Sequence, residues 1–137
     1  MKTHQYELID EKVFEHEFDN GLKLFVIPKP GFQKTYVTYT TQFGSLDNHF
    51  KPIGSQQFVE VPDGVAHFLE HKLFEKEDED LFTAFAEENA QANAFTSFDR
   101  TSYLFSATSN IESNIKRLLN MVETPYFTEE TVNKEKG

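Results

Sequence analysis

Between Thr101 and Val122 the spacing of apolar residues changes once, at about Ser109, from every second position to helical spacing. That switch limits the chain to folds in which a sheet packs against helices. Tyr103, Phe105 and Ala107 alternate with other residues, as on one face of a strand. Ile111, Ile115, Leu118, Leu119 and Val122 then follow a helical stripe. Ser109 and Glu112 read as a capping box at the start of that helix. Pro125 marks its stop.

The rest of the chain supplies the partners. "NGLKLFVIPKPG" begins with an Asn20-Gly21 turn. Leu22, Leu24 and Val26 then alternate with Lys23 and Phe25, which predicts a strand closed by Pro28 and Pro30. "TYVTYTTQFGS", from Thr35, predicts a second strand. The segment from Ser45 to Gly64 reads as a polar loop. Helices are predicted after Pro62 and from about Asp80 to Asn89. "QANAFTSFDRTSYLFSAT" predicts two short strands around a Phe98-Asp99-Arg100 turn. The last residues, "YFTEETVNKEKG", open like a helix, with Thr128 as cap and Glu129 and Glu130 at the positive dipole end. This order predicts an α+β fold, a mostly antiparallel sheet with helices packed on one face. One domain is expected over residues 1–137. Because the last helix is so short, the chain is expected to be a fragment of a longer protein.

Composition excludes several functions. The net charge of −10 argues against a nucleic-acid partner, which requires a basic patch. There is no cysteine, so disulfides, thiolate metal sites and cysteine nucleophiles are excluded, and a transition-metal site must use His, Asp or Glu. No apolar run reaches membrane-spanning length and the N-terminus lacks a signal-peptide core, so the simplest expectation is a cytoplasmic protein without a membrane partner. With 15 Phe and no Trp, phenylalanine must fill much of the core.

Within "GVAHFLEHKLF", the residues His67-Phe68-Leu69-Glu70-His71 set two imidazoles one helical turn apart. With His67 at zero, His71 lies at about 40° and Glu70 at about −60° around the helix. Val65, Phe68, Leu69 and Leu73 take the opposite side. Two such imidazoles can hold one Zn2+. Glu70 can accept a proton from metal-bound water, whose pKa the metal lowers towards about 7. The spacing is that of the inverted zinc motif. The same pattern also describes the solvated face of an ordinary helix, and the five residues alone leave both readings open. A closed site needs a third ligand. Glu123, Glu129, Glu130 and Glu135 are candidates, and spacing does not choose among them. His4, His16 and His49 stand alone and are expected to be exposed. The acidic run from Glu75 is expected to be a solvated loop and helix start.

"VAHFLEHKLF" followed by "NAFTSFDRTSYLF", with "NGLKLFVIPKP" and "FGSLD" before them, resembles the pitrilysin/insulinase family of zinc metallopeptidases, which includes the mitochondrial processing peptidases. The resemblance covers about residues 18 to 137, and the joint order of the motifs makes it specific. It implies Zn2+ held by His67 and His71, with Glu70 as general base. It implies that Asn93 and Ala94 lie on a strand that holds an extended substrate, a peptide or unfolded polypeptide, by β-augmentation. It also implies that this chain is the N-terminal part of a larger peptidase of two or more domains, with a possible homologous partner subunit and a third ligand, a glutamate, beyond Gly137. This sequence has no glycine directly before the asparagine, where relatives often have one. The resemblance therefore predicts a zinc metalloendopeptidase, poorly active as this segment alone. The alternatives are a non-catalytic peptide-binding subunit or inactive fragment of the same fold, and an α+β domain whose His-Glu face is coincidental.

Overall fold

Phe85 and Phe105 are both fully buried, with ring centroids 5.8 Å apart, and the larger part of the molecule packs around them. The computed structural model describes residues 1–136. The chain divides into two compact units, Met1–Gln33 and the part from Lys34 onward.

In the second unit, strands β4 (Thr35–Thr41), β7 (Ala90–Thr96) and β8 (Thr101–Ala107) form an antiparallel sheet in the order β4-β8-β7. Tyr103, Phe105 and Ala107 share one buried face of β8, as their alternation predicts. Against that face pack α1 (Val65–Leu73), α2 (Leu81–Glu87) and α3 (Ile111–Glu123). Leu81 and Phe85 from α2 and Leu118 and Met121 from α3 complete the core. Removing either buried Phe side chain would cost about 3–5 kcal/mol. This is an α+β architecture with antiparallel pairing and helices on one side. A last helix, α4 (Glu129–Lys136), is capped by Thr128, whose Oγ1 accepts from the Thr131 N–H at 3.1 Å.

The stripe on α3 falls where predicted, but its capping box does not form. The residue before the helix is Asn110, in the left-handed region at φ 53°, with no side-chain cap bond. Helix α3 begins one residue too late for Ser109 to cap it. Glu112 instead pairs with Lys116, one turn on, at 2.7 Å. Asn110 and Asn114 both donate from Nδ2 to the Glu88 carbonyl, and this tie between α2 and α3 sets the helix start. At the other end, the Lys76 ammonium caps α3 through the carbonyls of Met121 and Thr124. The acidic run has a structural use as well. Asp80 caps α2 by accepting from the Phe82 N–H at 3.1 Å and the Thr83 hydroxyl at 2.6 Å. The Thr83 bond is the chief reason its carboxyl lies below the ordinary range.

The first unit is a three-stranded antiparallel sheet of β1 (Lys2–Tyr6), β2 (Glu11–Glu17) and β3 (Lys23–Val26), with a 3₁₀ turn over Glu7–Ile9. Asn20-Gly21 forms the predicted turn, closed by Phe18 N–H to the Leu22 carbonyl at 2.9 Å. The alternation in β3 predicts one buried face, but all four of its residues are exposed. The segment from Ser45 to Gly64, read from sequence as loop, contains a two-stranded hairpin, β5 (His49–Phe50) with β6 (Val59–Glu60).

Gly44 shows how tightly one loop meets the β7–β8 turn. The Ser45 and Leu46 N–H groups donate to the carbonyls of Ser97 and Phe98, at 2.9 and 3.0 Å. A Cβ on Gly44 would lie 2.5 Å from backbone atoms of both Phe98 and Arg100. Neither backbone can yield without breaking the turn. Gly44→Ala is therefore expected to destabilise the protein by about 2 kcal/mol or more, read as a lower urea midpoint. Ser45→Ala, at an exposed neighbour, is expected to stay within about 0.5 kcal/mol of the parent.

Candidate metal centre

Helix α1 starts after Gly64, whose φ of 87° lets the chain turn into it without a Cβ penalty. Ala66 is buried, and Val65, Phe68, Leu69 and Leu73 are half-buried, so this side of the helix packs on the domain. His67 and His71 are exposed on the other side, with ring centroids 4.6 Å apart and ring planes at 86°. Glu70 lies between exposed and buried. The helix thus divides its faces as the sequence predicts, with one exception. Lys72, a residue that sequence reasoning passed over, is fully buried on α1 and forms an ion pair with Glu75.

Partners from other elements then fix these side chains. The Nδ1 of His71 is 2.7 Å from Oε1 of Glu135 on α4. A carboxylate only accepts, so in the neutral ring this bond puts the proton on Nδ1 and leaves the Nε2 lone pair free. An imidazole oriented by a carboxylate in this way is the usual arrangement of a metal-ligating histidine. Of the four glutamates considered as third ligand, Glu135 therefore meets His71 as its hydrogen-bond partner. Among the described residues no group of three His, Cys, Asp or Glu side chains could hold a metal ion. The donor set suits zinc in kind, with two imidazoles and a neighbouring carboxylate, and could supply two of the ligands such a site needs.

Glu70 is held from the sheet. The Thr96 hydroxyl, on β7, donates to its Oε2 at 2.6 Å. Oε1 has no partner among the described hydrogen bonds and remains available as a proton acceptor. Tyr103, on the neighbouring strand, is buried near the same carboxylate. Burial first, and then the negative charge of Glu70, push its phenol well above the ordinary range. Thr96 and Tyr103 had no assigned role in the sequence reading of the site, and Glu135 was named there only as a possible ligand. The signal for Thr96 was its parity with Ala90, Ala92 and Ala94, small residues on the strand face that meets α1 and α2.

Asn93 and Ala94 both lie on β7. Ala94 is two residues from Thr96, about 7 Å along the strand. Strand β7 is the last strand of its sheet, so one of its edges pairs with no strand among the described residues. The Ser97 N–H donates to the Arg100 carbonyl at 2.8 Å, which sets the alternation of the ladder. Phe95 and Asn93 then bond across to β8, opposite Ser102 and Leu104. The backbone groups of Ala92, Ala94 and Thr96 point to the open edge. A cleft of about 460 Å³ also lies against α1, but it is lined by apolar-side residues such as Ala66, Leu69, Leu73 and Tyr103. It does not contain the histidines or Glu70.

The family model described as insulinase, peptidase family M16, matches residues 52–137. The chain belongs to this family. The uncharacterized zinc protease YmfH of Bacillus subtilis is 56% identical over 137 residues, which span all of this chain and 32% of that protein. The crystal structure of an M16-like peptidase from Alicyclobacillus acidocaldarius superposes with a TM-score of 0.86 at 41% identity, covering 93% of this chain and 30% of that one. Pitrilysin shares the fold at a TM-score of 0.73 and 20% identity, covering 97% of this chain and 14% of that one. The chain thus spans about a third or less of the length of each of these relatives.

The position of Tyr103 has a consequence for pH. Its pKa is raised in the folded state, so above the ordinary tyrosine value of about 10 the unfolded chain releases a proton that the folded chain keeps. The stabilisation is complete below that pH and is lost as pH rises above it. Urea unfolding at about pH 9 and about pH 11 should show a smaller loss of stability for Tyr103→Phe than for the parent.

Proposed function

We propose that this chain carries the metal-binding helix of a zinc-dependent peptidase, with His67 and His71 as two zinc ligands and Glu70 as general base. The supporting observation is the convergence on one helical turn. Two exposed imidazoles lie 4.6 Å apart, and the carboxylate between them is hydrogen-bonded to an open-edged strand. The relatives' names as zinc proteases support the same metal and reaction class. In this reading a peptide or unfolded polypeptide lies along the β7 edge at Asn93 and Ala94. The third ligand is a residue outside those described, and a homologous subunit or domain completes the substrate chamber.

When bound, zinc supplies a Lewis acid that polarises the scissile carbonyl and makes water easier to deprotonate. The chain's own residues do the rest. Glu135 holds the His71 ring with its Nε2 outward. Thr96 fixes one oxygen of Glu70, and the free oxygen takes the proton of the attacking water. Tyr103 keeps its own proton and does not compete for that role.

The test is Glu70→Gln in the intact protein. Peptide cleavage should fall by about 100-fold or more while zinc remains bound. Full activity in that variant would exclude Glu70 as the base. Glu135→Ala should weaken zinc binding about tenfold or more, measured by competition with a chelating dye, because the His71 ring loses its orienting partner. If the intact protein binds peptide but no zinc, the non-catalytic peptide-binding reading takes over.

A further inference from the structure

The open edge of β7 is not bare. At its centre, the Ala94 N–H donates to Oδ1 of the preceding residue, Asn93, at 2.8 Å. The ladder parity points the Ala94 N–H away from β8, towards the edge where a further strand would add. Asn93 itself is exposed, and its backbone is used towards β8 opposite Leu104. Its side chain turns back on the strand's own free donor. A strand interior has no need of such a bond, because the usual partner of an edge N–H is the carbonyl of the next strand.

We propose that the Asn93 carboxamide is a displaceable stand-in for a peptide carbonyl. It satisfies the Ala94 amide while the edge is empty, and it gives way when an extended peptide adds to β7. This inference rests on the reading of the β7 edge as the peptide site and adds a positioning role for Asn93. Docking becomes an exchange of acceptors, in which the peptide carbonyl takes the Ala94 N–H and the side chain turns out. The held amide keeps its strand geometry in the empty protein. A short or poorly aligned strand does not gain enough to displace the side chain. Isolated edge pairing between copies is opposed for the same reason, since an unguarded edge is a template for association.

The experiment follows amide hydrogen exchange at Ala92, Ala94 and Thr96 by NMR in the intact protein. A Glu70→Gln background prevents turnover. The probe is a blocked ten-residue peptide of alternating valine and lysine. Without peptide, the Ala94 amide should exchange about tenfold faster in Asn93→Ala than with Asn93 present. Asn93→Asp, which keeps an acceptor oxygen, should restore the slow rate. With peptide, Ala94 should be protected in all three proteins. The peptide should bind Asn93→Ala about fivefold more tightly than the Asn93 protein, because nothing has to be displaced. Equal Ala94 exchange with and without Asn93, while the peptide still protects the edge, would overturn the proposal and leave the peptide-site reading standing. Failure of the peptide to protect any of the three amides in any variant would overturn that reading, and the exchange with it.

Discussion

The hydrogen bond from Thr96 to Glu70 joins the two parts on which the site depends, helix α1 and the outer strand of the sheet. Glu70 belongs to the turn that carries both histidines, and Thr96 belongs to the strand with the open edge. Each end alone has a bland explanation, a solvated helix face or a strand at the margin of a sheet. Their contact brings a carboxylate, two imidazoles and an edge that pairs with no strand among the described residues into one neighbourhood. It also fixes which oxygen of Glu70 is free.

That contact depends on packing further in. Helix α1 can approach β7 because the strand face towards it carries Ala90, Ala92 and Ala94 rather than larger side chains. Beneath, Tyr103 and Phe105 on β8 carry the core against α2 and α3. Tyr103 serves both layers, since it belongs to the core and lies close enough to Glu70 to feel its charge. The sheet is pinned at its turn by the close approach of Gly44 to Phe98 and Arg100, where there is no room for a side chain. The precision of the site therefore comes from the rigid elements below it.

The parts of the fold that could be read directly were those with a strong period. The β8 alternation and the α3 stripe depend on which side of an element is apolar, and that is written locally. The capping box before α3 misled because Ser109 and Glu112 matched a pattern, whereas the start of the helix was decided by Asn110, Asn114 and the Glu88 carbonyl, more than twenty residues earlier in the chain. In β3 the alternation was present without a buried face, since burial depends on what covers a strand and not on the strand. Lys72, which had no role in the sequence reading, is fully buried, with Glu75 as the partner that makes this tolerable.

The sequence by itself determined the composition of the site. Helical periodicity sets His67, Glu70 and His71 on one side of one turn, because residues three and four apart are neighbours on any α-helix. It likewise determined that any transition-metal site must use His, Asp or Glu, since the chain has no cysteine. Only the tertiary structure decided the partners. Glu135 reaches His71 across 64 positions and Thr96 reaches Glu70 across 26, distances over which no periodicity operates. Which ring nitrogen is free, which carboxylate oxygen is held and which backbone amide faces the open edge all follow from that packing, because hydrogen bonds between elements are set by how the elements meet.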